Sequence, residues 1–420
     1  MIDGEILTMD DFDFHGKTVL LRVDFNSALD PKTKKILDDF RIRAHEKTIK
    51  ELLEKGAKVV ILAHQGDPLF LDQFIPLEQH ARILSGILGR EVKYIDDIFG
   101  PAAREAIRKL GEGEVLVLEN TRYFSEDTRL FEDTITRSPE EQAQTLLVQK
   151  LYPLADVFIN DAFAAAHKSQ PSLVGFAEVL PAVAGRALEA ELRALSKIRD
   201  NPERPCVFFL GGSKISDRYV MMEPVLKRGV ADKLLTSGII GLLMLKASGY
   251  SLGDPTESLI KEMHYEKYVS ASKHLLDTYG DKIEFPTDLA VDKNGRMEIE
   301  TSSLPTDSPV MDIGKKTVEK YSEMIKKAKT VFFSGPPGMF EREEFASGTE
   351  RLLKVIVESG VFSVVGGGHS VTALEKYSLR DKVSYVSTGG GALVRYLSGE
   401  ELPVVTALKK AAKRYLSRSS

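Results

Sequence analysis

The sequence predicts an α/β protein built from two doubly wound parallel-sheet domains. Three observations carry that expectation. Short runs rich in Val, Ile, Leu and Phe alternate with segments of helical period along the whole chain, the mark of parallel sheets covered by helices. Several of these runs are apolar throughout, as central strands buried on both faces must be. At 420 residues the chain exceeds one ordinary core, so roughly two domains of about 150–200 residues are expected.

In the first half the strands read TVLLRVDF (18–25), AKVVILAH (57–64), EVKYI (91–95), EVLVLEN (114–120) and ADVFIND (155–161). Between them, 42–55, 77–88 and 140–151 place apolar residues at three- and four-residue spacing and predict helices. Next, 181–198 (PAVAGRALEAELRALSKI) predicts one long helix with Pro181 in its first turn, joining the domains, and the boundary is placed at Gly185. The second half repeats the style with CVFFLGG (206–212), DKLLTSG (232–238), IEFPTDLAV (283–291), TVFFSG (330–335), FSVVGG (362–367) and VSYVSTG (383–389). The tail, 401–420, holds VVTALKKAAKRYL, a helical pattern with one apolar stripe that predicts docking on a domain. The expected division is 1–184, 185–400 with the linking helix at about 185–199, and 401–420.

Bulk properties narrow the function classes. Hydrophobic residues make up 43% and charged residues 28%, ordinary values for a soluble globular protein. A net charge of −5 argues against a general nucleic-acid binder, so any anion site must concentrate positive charge locally. Cys206 is the only cysteine; no intramolecular disulfide forms, and a reducing compartment is the natural expectation. The acidic N-terminus lacks the pattern of a targeting peptide, and no run approaches the ~18–20 apolar residues of a membrane helix. The expected location is the cytoplasm, with no membrane partner.

Three strands near the C-terminal end run into glycines: VFFSGPPG (331–338), FSVVGGGHS (362–370) and VSYVSTGGGA (383–392), echoed by LGGSK (210–214). A strand ending in glycines that opens a helix presents backbone N–H groups and a positive helix end, which suits a polyphosphate. Glycines also close ordinary βα turns, and any single turn carries no more than that. Taken together, they predict nucleotide binding.

In the first half, polar and cationic side chains collect at the C-terminal ends of the strands, where open α/β sheets bind ligands. RVDFN offers Arg22, Asp24 and Asn26, with Arg41 and Arg43 opening the next helix; AHQGD offers His64, LENTRY Arg122, and NDAFAAAHKSQ Asn160, Asp161, His167 and Lys168. Guanidinium groups grip carboxylate or phosphate oxygens in pairs, while aspartate and asparagine hold hydroxyls, so the set suits a phosphorylated hydroxy acid. Each member also has a structural role open to it: Asp24 and Asp161 as helix caps, the histidines as hydrogen-bonded core residues, the arginines as ordinary ion pairs.

There is no GxSxG elbow, HExxH, cysteine pair or GxxxxGK[ST] loop, which removes support for hydrolase, zinc-protease, redox and P-loop chemistry. Phosphoryl transfer to a carboxylate needs no base, because the acceptor is already ionised; alignment and positive charge suffice.

These motifs, RVDFN, ENTRY, NDAFAAAH, LGGSKISD, SGPPGMFEREEFASGT, VVGGGHS and STGGGA, resemble phosphoglycerate kinase in order and spacing across almost the entire chain. HQGDP and GGGHS are similar to the archaeal branch. The resemblance implies two Rossmann-like domains joined by a long helix, a cleft between them, hinge bending, and a C-terminal segment returning to the N-terminal domain. It implies reversible phosphoryl transfer between ATP and the carboxylate of 3-phosphoglycerate, giving 1,3-bisphosphoglycerate and ADP, with Mg²⁺ carried mainly by the nucleotide phosphates and no assigned protein ligand. A related acyl-phosphate kinase acting on another hydroxy acid, and a nucleotide-binding scaffold without catalysis, are the competing readings. A monomer or homodimer is implied.

By the same resemblance, Asp24, Asn26, Arg41, His64, Arg122, His167 and Lys168 hold the glycerate, Arg41 also stabilises the migrating phosphoryl group, and Arg22 supports the pocket electrostatically. Gly211, Gly212, Lys214 and Gly238 fall on the nucleotide's phosphate side, with Lys214 best placed for the transferred group and Arg218, also implied to be catalytic, standing where many members carry lysine. Pro286 borders the adenosine, Gly335, Pro337, Gly338 and Glu341 flank the nucleoside, and Gly366, Gly367, Gly368, His369 and Ser370 lie by the phosphates, as does the turn at 388–391. Asp67 stands where arginine is common, Lys168 replaces an arginine and His369 an aspartate.

Overall fold

The structure is a computed structural model that describes residues 1–66, 70–128, 135 and 137–419. Its chain divides by contacts into two compact units, one of Met1–Arg193 with Glu401–Ser420 and the other of Ala194–Glu400. Each is built on a six-stranded parallel sheet.

The first unit carries β1 (Thr18–Arg22), β2 (Lys58–Leu62), β3 (Lys93–Tyr94), β4 (Val115–Val117), β5 (Val157–Asn160) and β6 (Ala182–Ala184), in the order β3-β4-β2-β1-β5-β6. The apolar runs explain the two-sided burial. Val19, Leu21, Val59, Ile61, Val117 and Ile159 point to one face, where they pack with Ile49 and Leu52 of the helix Glu46–Glu54 and Leu84 of the helix Glu78–Leu88. Leu20, Val60, Leu116 and Phe158 are equally buried on the opposite face, as the two-residue period of a strand requires.

The helix Pro403–Ser419 completes this unit. Ala412 enters the core cluster, Val404 N–H donates to Ala166 O at 3.2 Å, Arg414 pairs with Glu178 at 2.7 Å, and Lys409 pairs with Glu5.

In the second unit β7 (Cys206–Leu210), β8 (Lys233–Thr236) and β9 (Ile283–Glu284) are followed by β10 (Asp288–Asp292), β11 (Arg296–Glu300) and β12 (Val310–Ile313), then by β13 (Thr330–Ser334), β14 (Phe362–Gly366) and β15 (Tyr385–Ser387). The parallel sheet runs β15-β14-β13-β7-β8-β9. At its centre Phe209 stacks on Phe333 at 4.5 Å and Phe208 lies 5.1 Å from Phe332 across the β7–β13 pair, one aromatic pair on each face. The strands β11-β10-β12 form a separate antiparallel sheet.

Four expectations are corrected. The run 283–291 is not one strand: Pro286 breaks it, leaving β9 on the parallel sheet and β10 at the centre of the antiparallel one. The segment 42–55 divides into the helices Phe40–Arg43 and Glu46–Glu54, with His45 at the break. The segment 140–151 divides into Pro139–Gln142 and Leu146–Leu151, where the Thr145 hydroxyl donates to Gln142 O at 2.8 Å. The long helix does not start at Pro181. Residues 182–184 instead form β6 beside β5, and the helix is Arg186–Arg199.

That last start is set from a distance. The Asp161 carboxylate occupies the place a side chain at Gly185 would take, 2.2 Å from an ideal Cβ, and its Oδ1 accepts from the N–H groups of Ala187 at 2.8 Å and Leu188 at 3.2 Å. Arg186 then ties the first turn to Asp10, Glu51 and Glu189. The contacts divide within this helix rather than at Gly185: Arg193 reaches Met1 O, whereas Lys197 lies over the Phe362 ring and Arg199 over Tyr396. Among the described residues no helix is long and apolar enough to cross a membrane.

Candidate active site

In the first unit the strand ends bring cations together around one imidazole. Arg22, the last residue of β1, is fully buried; its Nε donates to Ser172 Oγ at 2.9 Å, its Nη1 to Val23 O, and its Nη2 to His64 Nδ1 at 3.0 Å. Arginine has no acceptor to offer, so Nδ1 accepts and the His64 proton sits on Nε2. Burial depresses the His64 pKa far below the ordinary range, and Arg122, Arg22, Lys168 and Arg41 depress it further. Four cations drawn from separate segments thus converge on a neutral donor. Burial also pulls Arg22 down to about 10, against the pull of Asp127 and Asp24.

Asp24 faces Arg41 in an ion pair, and Asn26 N–H donates to Asp24 Oδ1 at 3.1 Å. Burial would raise this carboxyl; Arg41 and the Asn26 amide outweigh it and hold the group below its usual range. Asn26 Oδ1 accepts from Gly66 N–H at 2.8 Å, fixing the turn after His64. Arg122 is buried, with Nη1 on Asp127 O at 2.7 Å and on Gln170 Oε1 at 3.4 Å. His167 and Lys168 follow the short turn Phe163–Ala165 and are half-buried. Asn160 and Asp161 are structural: the first holds Leu173 O and Ala162 N–H, the second caps the helix that starts at Arg186. Asp67 lies outside the described residues.

Sequence reading passed over His45, Gln65, Asn120 and Asp127, which hold this pocket from behind. Gln65 is bonded through Oε1 to Ser27 N–H and through its backbone to Asn120, and Asp127 accepts from Ser172 N–H and Oγ at 2.9 Å each. A single polar residue within a helical or apolar pattern carries no signal of such a partner.

In the second unit two adjoining cavities open at the ends of β7, β8, β13 and β14. The larger, about 460 Å³, is lined by apolar side chains such as Leu242, Leu259, Met311 and Met339, together with Gly212, Gly238, Pro286, Pro337, Gly338, Glu341 and His369. The smaller, about 110 Å³, shares Gly212, Ser213, Pro336 and His369 with it and adds Lys214, Arg218 and Gly368. An apolar slot continuous with a cationic recess fits a nucleoside followed by its phosphates.

The predicted loop residues divide into two groups. Gly212, Gly238, Gly338 and Gly368 line the cavities, whereas Gly211, Gly335, Gly366, Gly367 and Ser370 do not. The amides of Gly211, Gly212 and Gly335 are also not bare as expected: they donate to Ser334 O, Pro336 O and Ser370 Oγ at 2.7–2.9 Å. These glycines let two loops meet backbone to backbone. An ideal Cβ on Gly335, whose φ is +88°, would stand 2.2 Å from Gly211 O. Gly366 is needed for packing, its Cβ position lying 2.6 Å from Leu393. The 388–391 turn opens the helix Gly390–Ser398 and is absent from both linings.

Lys214 is exposed on the rim and has no ion-pair partner among the described residues. Arg218 is committed: its Nε donates to Ser334 O at 3.1 Å and Ser334 Oγ at 3.2 Å, and its Nη1 to Lys214 O. Burial lowers its pKa against the pull of Asp217 and Tyr265. His369, second residue of the helix Gly368–Lys376, is exposed to both cavities.

Asp312 on β12 also lines the larger cavity. Its Oδ2 accepts from Arg296 at 2.9 Å and Gly348 N–H at 2.9 Å, while Oδ1 is buried without a hydrogen-bond partner among the described residues. Burial lifts its pKa to about 6, with Arg296 and the Gly348 amide opposing. The folded protein therefore binds this proton more tightly than the unfolded chain. The associated stability is complete below about pH 4 and is lost as pH rises through about 6. Replacing Asp312 with asparagine is expected to remove that slope: relative to the variant, the parent should lose on the order of 2–3 kcal/mol between pH 4 and 7, read from urea unfolding at each pH. A constant difference across that interval would refute the assignment.

Comparison with known proteins bears on both pockets. The phosphoglycerate kinase family profile matches residues 9–400. A phosphoglycerate kinase of Methanothermus fervidus is 48% identical over 408 residues, covering 97% of this chain and 98% of its own. That of Sulfurisphaera tokodaii is 45% identical over 410 residues, covering 97% and 96%. The crystal structure of phosphoglycerate kinase from Pyrococcus horikoshii superposes with a TM-score of 0.88 at 42% identity, covering 97% of this chain and all of that one. The enzyme from Coxiella burnetii gives 0.80 at 31%, again over 97% and 100%.

Proposed function

Since the chain belongs to the phosphoglycerate kinase family, kinases that transfer phosphate between ATP and 3-phosphoglycerate, we propose that its two pockets divide that glycolytic reaction between them. The first unit holds the acid and the second holds the nucleotide. The observation that carries the reading is the gathering of Arg22, Arg41, Arg122 and Lys168 about neutral His64, with Arg22 bonded to its ring and Arg41 paired with Asp24.

In this reading His64 Nε2–H, Arg122 and His167 bind oxygens of the 3-phosphoglycerate, with Asp24 and Asn26 orienting its hydroxyl and Lys168 adding charge. Arg22 is too enclosed to touch the ligand and acts by fixing His64. The acid's carboxylate is ionised near neutral pH and attacks the terminal phosphorus of ATP without a general base; the bond from that phosphorus to the bridging oxygen breaks, and ADP leaves. Charge on the transferring group is met by Arg41 from the acid side and Lys214 from the nucleotide side. Arg218 holds the loops that carry Lys214 and Gly335. The nucleoside occupies the larger cavity, with Glu341 accepting from ribose hydroxyls.

The family works with ATP and ADP, generally as magnesium complexes. Lys214, Arg218 and His369 line the phosphate recess with nitrogens, and Ser213 supplies the side-chain oxygen in that lining. Among the described residues no three His, Cys, Asp or Glu side chains stand together as a ligand set. Such a lining offers a hard cation no ligand set of its own, so Mg²⁺ would be held by phosphate oxygens and water. Bound there, Mg²⁺ would neutralise phosphate charge. The single cysteine, buried and in no disulfide, supports a cytoplasmic setting.

A coupled assay with ATP, Mg²⁺ and a panel of phosphorylated and unphosphorylated hydroxy acids tests the reading. Turnover with clear preference for 3-phosphoglycerate is expected. Folded protein that binds nucleotide yet shows no turnover with that acid would contradict it.

A further inference from the structure

His45 lies outside the set of ligand-binding residues, yet it joins the acid pocket to the start of the helix Arg186–Arg199. Its Nε2 accepts from Asp24 N–H at 3.0 Å, and its Nδ1 is 2.7 Å from Asp161 Oδ2. An acceptor Nε2 carries no hydrogen, so the ring proton is on Nδ1 and is donated to Asp161. The other oxygen of Asp161 accepts from Ala187 and Leu188 N–H, the first turn of that helix. The chain of contacts therefore runs from the Arg41 guanidinium through the Asp24 residue, the imidazole and one carboxylate to two helix amides. Asp24, His45 and Asp161 are buried, while Arg41 at one end and Ala187 at the other are half-buried. The local sequence serves this arrangement: the helical segment is interrupted at His45, whose ring turns to Asp24 and Asp161 rather than to the amides of the next helix, and Gly185 leaves room for the Asp161 carboxylate.

We propose that His45 is a positioning residue that couples occupancy of the acid pocket to the order of the first turn of the helix Arg186–Arg199, whose residues are shared between the two compact units. The proposal rests on the reading that this pocket takes 3-phosphoglycerate. A ligand that draws on Arg41 changes the partner of Asp24; the Asp24 backbone is bonded to the imidazole, and the imidazole to the carboxylate that caps the helix. Asp161 has one carboxylate for both tasks, so tightening one side restrains the other.

The test is amide hydrogen exchange at Ala187 and Leu188 in the full chain, with and without saturating 3-phosphoglycerate, alongside calorimetric binding and steady-state KM. In the parent enzyme the ligand should slow exchange at both amides several-fold. His45→Ala should abolish that slowing and raise KM for the acid by roughly tenfold, the loss of about one well-made hydrogen bond. His45→Gln places an acceptor near the Nε2 position but no donor near Nδ1. It should also abolish the ligand-linked slowing, with a smaller rise in KM, which separates coupling from simple support of Asp24. Equal ligand-linked slowing in the parent and in whichever variants fold would overturn the proposal. Failure of calorimetry to detect 3-phosphoglycerate binding to the parent would instead remove the pocket assignment, and the proposal with it.

Discussion

Replacing Lys214 with alanine is expected to lower kcat by about 10²–10³-fold while leaving the fold intact. The residue stands on the rim of the smaller cavity, exposed and without an ion-pair partner among the described residues. A cation in that state costs the fold nothing to remove, so the melting temperature should move by no more than about 2 °C. In the proposed transfer, by contrast, it would face a group whose charge is spread over three oxygens, and the preorganised charge would supply on the order of 3–4 kcal/mol. Lys214→Arg should recover part of the rate, because the charge returns but its position shifts. Steady-state kinetics decide the matter: a kcat within threefold of the parent, in protein with the same melting temperature, would remove Lys214 from the reaction.

Gly335→Ala is expected to act through backbone geometry. The added methyl would sit 2.2 Å from Gly211 O and 2.5 Å from Gly211 C, and the residue's φ of +88° is strained for any L side chain. Neither atom belongs to a flexible side chain, so the two loops must part. Left-handed strain and overpacking together cost roughly 2–5 kcal/mol. Parting the loops breaks the bonds from Gly211 to Ser334 and from Gly212 to Pro336, and with them the wall shared by the two cavities. The KM for ATP should rise more than about tenfold, alongside a fall in melting temperature, because a displaced Gly212 and Pro336 no longer shape the site. Calorimetric affinity for 3-phosphoglycerate should be preserved. A parallel loss of acid affinity would show that the damage is global unfolding rather than a local defect in the nucleotide pocket.

Much of this architecture is legible in the residues. Runs such as KVVIL and CVFFL, short and rich in β-branched or aromatic residues, favour a strand buried on both faces, and the structure places them at β2 and β7. The polar residues at the strand ends were likewise visible, and Arg22, Arg41, Arg122 and Lys168 do gather around His64. What was hidden depends on contacts between distant segments. Pro181 reads as a helix start until β5 is present to pair with 182–184, and Asp161 is needed to begin the helix at Arg186. The amides of Gly211 and Gly335 look free until the two loops are brought together. His45 sits in a helical pattern that gives no hint of Asp24 on one side of its ring and Asp161 on the other. Asp312 sits on a strand of four residues that includes a methionine, too short to be distinguished from loop, so its place on the cavity wall had no sequence signal.

The docking of Pro403–Ser419 on the first unit has a consequence for biosynthesis. Ala412 belongs to that unit's core, and Val404 fastens onto Ala166, immediately before His167. During translation the ribosome must polymerise all of 194–400 before the segment that finishes the earlier-made unit is available. The N-terminal portion of a nascent chain therefore waits, incomplete, while its successor is synthesised and able to fold first.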